Sequence, residues 1–290
     1  MPHRVWGPSV YKVQIAAVVP KPGAPIEIRE DYPVKQPDEL LPGECLIKMH
    51  CSGVCHTDLH VKKDDWPISG VTPLIGGHEG IGDRVGVKWL AYSCLQCEFC
   101  RKGLEQDCVK AKNSGFSVDG TFSEYVVSWV NHVTPIPEGF PSADAASILC
   151  AGVTVYRAIK HSQTEQGDWI VLPGAGGGLG HLAVQYAVAR GLRVIAVDKK
   201  NLVFSLGAEA WIDFKETQDL VADIKRITGG LGAHSAVVTT AAPSGYAQAI
   251  DYLRPGGTLM AVGLPGAAKL EGSIFFTVLK SISIIGSYVG

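Results

Sequence analysis

The stretch WIVLPGAGGGLGHLAVQYA, residues 169–187, constrains this chain more than any other. It reads as a buried strand, a glycine turn and a helix, the order in which a glycine motif carries meaning. A strand that is apolar throughout is covered on both faces, as in parallel sheets with helices on either side. The rhythm continues: RVIAVD is a second strand, EAWIDF a third, HSAVVTT a fourth, GTLMAVG a fifth and SISIIGSYV a sixth. The expectation is an α/β, doubly wound domain whose first helix turns Leu182, Ala183, Tyr186 and Ala187 inward.

Gly174, Gly177, Gly178 and Gly180 make a turn one residue longer than the strict G-x-G-x-x-G. Without side chains the backbone can approach a pyrophosphate, whose charge faces the helix N-terminus. Asp198 closes the second strand, eighteen residues after Gly180. A carboxylate there hydrogen-bonds ribose hydroxyls and repels a 2′-phosphate, so NAD is expected rather than NADP. Lys199 and Lys200 temper that preference without reversing it.

The first half has another texture. Between residues 11 and 140, short β-type runs (VQIAAVV, ECLIKMHC, DRVGVKWL, FSEYVVSWV) are separated by proline and glycine turns, which suggests a loop-rich β domain. With 290 residues, two domains are expected, 1–153 and 154–290. Inside the first lies Cys94-x2-Cys97-x2-Cys100-x7-Cys108. Four thiolates so close suit tetrahedral Zn²⁺ with no open position, a metal that holds a lobe together rather than doing chemistry. Gln96, Glu98, Arg101 and Lys102 are too polar for these to be core thiols. A nucleic-acid-binding zinc ribbon is the competing reading, with Arg101, Lys102, Lys110 and Lys112 behind it. A net charge of −2 offers no basic field, so no nucleic-acid partner is expected. Eight cysteines without an export signal argue for thiolates and metal instead of disulfides. No apolar run reaches the roughly 18 residues of a membrane span. The N-terminal stretch has no acidic residue before Glu27, but Pro2, Gly7 and Pro8 break any amphipathic helix, so a frayed cytosolic arm is expected.

GVCHTDLH, GGHEG, the four-cysteine knuckle and ILCAGVTVY occur in that order. With them the sequence resembles the zinc-containing medium-chain alcohol dehydrogenases, most closely the yeast and fungal ethanol-type enzymes, from about Gln14 to Gly290. The resemblance implies a GroES-like β-barrel catalytic domain and a Rossmann NAD-binding domain. It places a catalytic Zn²⁺ on Cys55, His78 and Cys150, each of which alone would more often be a core thiol or a satisfied histidine. The fourth position stays open for water or substrate, as a Lewis-acid site requires. Glu79 is implied as a nearby or alternate ligand, and Asp58 as the carboxylate that orients the His78 ring. A Lewis acid there lowers the pKa of an alcohol, and hydride then passes to the nicotinamide. Thr57 resembles the hydroxyl that first takes the proton and His60 the surface base that ends the relay; a plain helix start is the alternative for that pair. His56 matches a basic position at the cofactor pyrophosphate, and Thr154, Val262 and Gly263 match positions at the nicotinamide end. Trp66 and Trp89 match bulky residues that narrow the substrate pocket and favour short primary alcohols such as ethanol, although tryptophan in a β domain also serves as core. The zinc-free quinone reductases of the same superfamily fit poorly with these cysteines. By the same resemblance the chain is expected to be a cytoplasmic homotetramer acting on small alcohols and aldehydes, with SISIIGSYV near the sheet edge that pairs across a dimer interface.

Three departures from the family stand out. GGHEG runs straight into IGDRVGVKW, where the family has a further barrel strand, so two unsatisfied strand edges are expected. Only three residues separate Asp198 from Leu202, so the helix after the second strand should start late. The sequence ends at SYVG, where the family continues with a tail that returns to the catalytic domain. Both domains are therefore expected to be incomplete, and a non-catalytic zinc- and NAD-binding relative of the same fold is the alternative function.

Overall fold

Alternation decides the first half. In β1 (Val13–Val19) Gln14, Ala16 and Val18 turn inward while Val13 and Ile15 stay exposed, the period of two that a half-covered strand requires. A computed structural model of the protein describes residues 10–82, 84–198, 201–266 and 268–289; most of the expected N-terminal arm, residues 1–9, lies outside these. The chain divides into two compact units, Met1–Cys150 and Ala151–Gly290.

In the first unit, β1 is followed by β2 (Glu27–Pro33), β3 (Glu44–Ser52), β4 (Leu74–Ile75), β5 (Gly80–Gly82), β6 (Val85–Val87), β7 (Leu90–Tyr92), β8 (Lys112–Asn113), β9 (Tyr125–Trp129) and β10 (Thr134–Pro135). Its helices are short: α1 (His56–Lys63), α2 (Glu98–Arg101) and α3 (Ser142–Ser147). The sheets run β2-β1-β4, β10-β6-β5-β3-β9 and β7-β8. DRVGVKWL, expected as one strand, divides into β6 and β7, which join different sheets.

The sheets of this unit stay open, with β10 and β9 at the edges of one and β2 and β4 at the edges of another, as expected of an incomplete barrel, but the strand directly after GGHEG is itself paired on both sides. β5 pairs antiparallel with β3 on one side, Gly80 opposite Ser52, and with β6 on the other, Gly80 opposite Val87. The physical reason lies in a side chain that is missing. A Cβ on Gly82 would stand 2.1 Å from the Lys48 carbonyl oxygen, so only glycine lets β5 close on β3 directly after Glu79.

The second unit carries α4 (Val153–Lys160), β11 (Trp169–Pro173), α5 (Gly178–Ala189), β12 (Arg193–Val197), β13 (Ala210–Ile212), α6 (Leu220–Ile227), β14 (Ala233–Val238), α7 (Pro243–Tyr252), β15 (Leu253–Ala261), α8 (Ile274–Leu279) and β16 (Ser283–Gly286). Six parallel strands run β13-β12-β11-β14-β15-β16. Neighbours along one strand serve opposite faces. Ile170, Leu172, Val194 and Ala196 pack into one apolar cluster with α4 and α5, whereas Val171, Ile195 and Val197 pack into another with α6 and α7. That is why these strands read as apolar without interruption.

One expectation is refined and one corrected. The inward face of α5 includes Leu182 and Tyr186, half-buried and packed against the core cluster, but its fully buried line is Gly180, Ala183, Val184 and Ala187. Small residues take the inner line because the helix lies close to the sheet. The late helix after β12 is a single 3-10 turn, Asn201–Phe204, whose Val203 is fully buried against α5's cluster. So short a connection has room for one turn only.

Candidate active site

The knuckle forms one tight lobe. α2 and a 3-10 turn at Glu105–Asp107 fold Cys94, Cys97, Cys100 and Cys108 together, with their sulfurs within 4.8 Å of one another. Cys97 and Cys100 Sγ lie 3.5 Å apart, and Cys94 and Cys100 Sγ 4.0 Å. A tetrahedron of Zn–S bonds of about 2.3 Å has edges of about 3.8 Å, so the set fits the ion. Backbone N–H groups of Cys97 and Lys110 donate to the Cys94 and Cys108 sulfurs at 3.3 and 3.4 Å, and the Gln96 and Cys97 donors hold the Cys94 thiol down at about 6.

The three scattered residues also meet. Cys55 is the N-cap of α1, and its N–H donates to Asp58 Oδ2 at 2.8 Å in a capping box. His78 and Glu79 lie on the turn into β5, and Cys150 lies in the π-helical turn Ile148–Gly152. One donor atom from each of Cys55, His78, Glu79 and Cys150 lies within 4.8 Å of the others, and the two sulfurs are 3.9 Å apart. Asp58 Oδ1 takes the His78 Nδ1 hydrogen at 3.1 Å and the Gly77 N–H at 3.2 Å. His78 is 1% exposed, and its Nε2 has no hydrogen-bond partner. A buried imidazole nitrogen with no partner, facing two thiols, is the fit expected for a metal ion bound there.

Electrostatics agree. The Cys150 thiol and the His78 ring beside it hold Cys55 down at about 3, although burial opposes this. Burial works against a charged His78, but Asp58 and Cys55 outweigh it and raise the ring to about 10. Cys150 is pushed up by sharing its proton with Cys55 and by burial. Glu79 rises to about 7, first through burial and then through the Cys55 charge. Cys55 is thus held as a thiolate while the raised His78, Glu79 and Cys150 favour protons that a bound cation would displace.

An aromatic wall stands beside His78. The Trp89 ring meets the imidazole edge-on at 5.2 Å, and Trp66 lies 6.5 Å from Trp89. Phe116, which the sequence does not single out, fills the corner at 5.6 Å from Trp89 and 6.4 Å from Trp66. Trp89 is 5% exposed, and the Trp66 Nε1 is buried without a partner. On α1, His56 is exposed and Thr57 half-buried. His60 stacks on Trp66 at 5.2 Å, and its Nδ1 lies 2.5 Å from Asp65 Oδ1.

In the second unit, Gly174 takes φ +85°, and a Cβ on Gly180 would stand 2.0 Å from the Gly174 carbonyl oxygen. Turn and helix therefore touch backbone to backbone. Gly177 caps α5 without a side chain; it and Gly178 are exposed, and a Cβ on Gly178 would meet nothing within 4 Å. The open N–H groups of a twelve-residue helix face that space, the fit an anionic pyrophosphate needs. Asp198 Oδ2 accepts the Gly176 N–H at 2.9 Å, and the Trp211 indole donates to the Asp198 carbonyl at 2.7 Å. Lys199 and Lys200 lie outside the described residues. Thr154 is buried in α4, and Val262 and Gly263 follow β15.

Fold and site together define a zinc-binding dehydrogenase built of a GroES-like and a Rossmann unit. The family model described as "Zinc-binding dehydrogenase" matches residues 178–290, and "Alcohol dehydrogenase GroES-like domain" matches 41–138. An alcohol dehydrogenase of Schizosaccharomyces pombe is 46% identical over 297 residues, covering 96% of this chain and 84% of the relative. Alcohol dehydrogenase 1 of Emericella nidulans is 43% identical over 302 residues, covering 97% and 85%. Among solved structures, acetophenone reductase of Geotrichum candidum in complex with NAD is similar, with a TM-score of 0.84, 26% identity and coverage of 98% and 84%. The alcohol dehydrogenase of Aeropyrum pernix is similar with a TM-score of 0.83, 26% identity and coverage of 95% and 86%. The chain belongs to the zinc-containing medium-chain alcohol dehydrogenases, close to those of fungi.

Proposed function

We propose that this chain is an alcohol dehydrogenase that oxidises short primary alcohols to aldehydes with NAD, using zinc held by Cys55, His78 and Cys150. The observation that carries this reading is the buried, partnerless His78 Nε2 beside two sulfurs 3.9 Å apart. Zinc supplies Lewis acidity there, lowering the pKa of an alcohol hydroxyl by several units. Asp58 fixes the imidazole, and Glu79 serves as the nearby carboxylate. Trp66, Trp89 and Phe116 exclude water and leave space for a small alkyl group. Thr57 takes the alcohol proton and passes it toward His60, whose Nδ1–H is engaged by Asp65, leaving Nε2 as the acceptor. His56 meets the cofactor pyrophosphate, and Asp198 turns from the Gly176 amide to the ribose hydroxyls, favouring NAD. Thr154, Val262 and Gly263 line the nicotinamide end. The Cys94, Cys97, Cys100 and Cys108 knuckle holds a second, structural zinc.

The chain works as a homo-oligomer in the cytoplasm. β16 is an edge strand of the six-stranded sheet, and α8 before it leaves Ile274, Phe275, Val278 and Leu279 two-thirds exposed or more. An open ladder beside such a patch suits pairing with a second copy. None of the eight cysteines is joined in a disulfide, which fits a reducing compartment, and no helix among the described residues is long and apolar enough to cross a membrane. Metal analysis of the purified protein alongside an ethanol–NAD assay tests the reading. Two zinc ions per chain and growth of the reduced-nicotinamide absorbance are expected; one zinc without turnover contradicts it.

A further inference from the structure

We infer that Tyr246 is a positioning residue for the nicotinamide half of the cofactor. This rests on the NAD reading above. A dinucleotide lies across the carboxyl ends of a doubly wound sheet, at the point where strand order reverses. Here that point is between β11 and β14. With adenosine on the β12 side, marked by Asp198, the other mononucleotide lies over the ends of β14 and β15.

The backbone at those ends is held by one phenol. Tyr246, in the first turns of α7, is 6% exposed, and its hydroxyl donates to the Gly263 carbonyl at 2.5 Å. The Gly263 N–H donates to the Val238 carbonyl at 3.0 Å, so both polar groups of this residue are engaged. A Cβ on Gly263 would stand 2.3 Å from the Thr240 carbonyl oxygen and 3.1 Å from the Tyr246 hydroxyl. The segment after β15 is thus pressed against the segment after β14, with the Tyr246 hydroxyl as its latch. The pyrophosphate turn has a support of its own that the phenol does not touch: the Thr239 hydroxyl donates to the Pro173 carbonyl at 2.8 Å, and Thr240 N lies 3.2 Å from where a Cβ on Gly174 would stand. Burial pushes the phenol up to about 12, so the hydroxyl remains a donor at any working pH.

A tie confined to the ends of β14 and β15 acts on nicotinamide and not on adenosine, which separates positioning from general support. Tyr246→Phe keeps the ring in its cluster and removes only the hydroxyl. Binding of NADH should weaken about fivefold, the usual worth of one buried hydrogen bond, while ADP-ribose, which lacks nicotinamide, binds within about twofold of wild type. Equal weakening of both ligands, or of neither, overturns the proposal. Hydrogen exchange on the wild-type protein gives a second readout that does not depend on the variant's folding. NADH should slow exchange in 240–246 and 261–264 beyond what ADP-ribose does, and equal protection by the two overturns the assignment. A wild-type protein that binds neither ligand refutes the cofactor reading itself.

Discussion

Asp58 shows how much one carboxylate settles. It receives the Cys55 and Gly77 N–H groups and the His78 ring, so it fixes the start of α1, the turn before β5 and the imidazole orientation together. Asp58→Asn keeps the size and loses the charge. Zinc affinity should fall about 10- to 100-fold, read as one zinc per chain lost to a chelator that leaves the other in place. An unchanged chelation curve would mean the contact orients nothing. Phe116 tests the aromatic wall. Phe116→Ala should shift kcat/KM toward longer alcohols over ethanol by about tenfold or more, since a pocket discriminates by roughly 1–3 kcal/mol per methylene. An unchanged ranking of ethanol, butanol and hexanol would remove Phe116 from the pocket. The metal set was legible only through motif order, because Cys55, His78 and Cys150 are joined by the fold and not by spacing. Phe116 gave no signal at all: it sits in the turn after β8, and only its ring contacts with Trp66 and Trp89 reveal it.

Elements were easier to read where burial is uniform. The strands of the second unit are legible most plainly in β11, β12 and β14, whose residues are nearly all buried, because a strand covered on both faces favours apolar residues, whereas the edge strand β16 is covered on one face only. The face of α5 was legible in Leu182, Ala183, Tyr186 and Ala187, which all pack into or against one cluster, and packing adds Gly180 and Val184 to its fully buried line. In the first unit the chain runs from Glu79 directly into β5, and Gly82 lets that strand take a ladder on each side, a consequence of backbone approach that no pattern of apolarity encodes. One element contact predicts a pH response. At the starts of β11 and β14, the His234 Nδ1 accepts the Trp169 N–H at 2.9 Å, while Asp168, 3.0 Å away, and Arg254 face its Nε2. Burial, followed by the Arg254 charge, lowers its pKa despite Asp168. The unfolded histidine, at about 6.5, takes a proton first as pH falls. Stability should therefore be full above about pH 6.5 and decline below it, until the folded ring also protonates. His234→Asn, whose carbonyl can accept the same N–H, should show a smaller drop in melting temperature between pH 7 and 5; an equal drop would assign the loss elsewhere.

At the scale of the whole molecule, one unit carries two sets of metal-ligand residues and the other a dinucleotide turn, and the proposed homo-oligomer would cover the exposed α8 and the open β16 edge. Phe275→Asp combined with Val278→Asp should yield a monomer by sedimentation without altering zinc content; an oligomer that survives both charges would move the interface to another face. The proposed function depends above all on Cys55, His78 and Cys150, far apart in the sequence, holding one reactive metal between them. Anomalous diffraction at the zinc edge locates that metal without recourse to activity. Two peaks per chain are expected, one among Cys94, Cys97, Cys100 and Cys108 and one bonded to Cys55, His78 and Cys150. A zinc-replete crystal with a peak at the first position and none at the second would contradict the assignment.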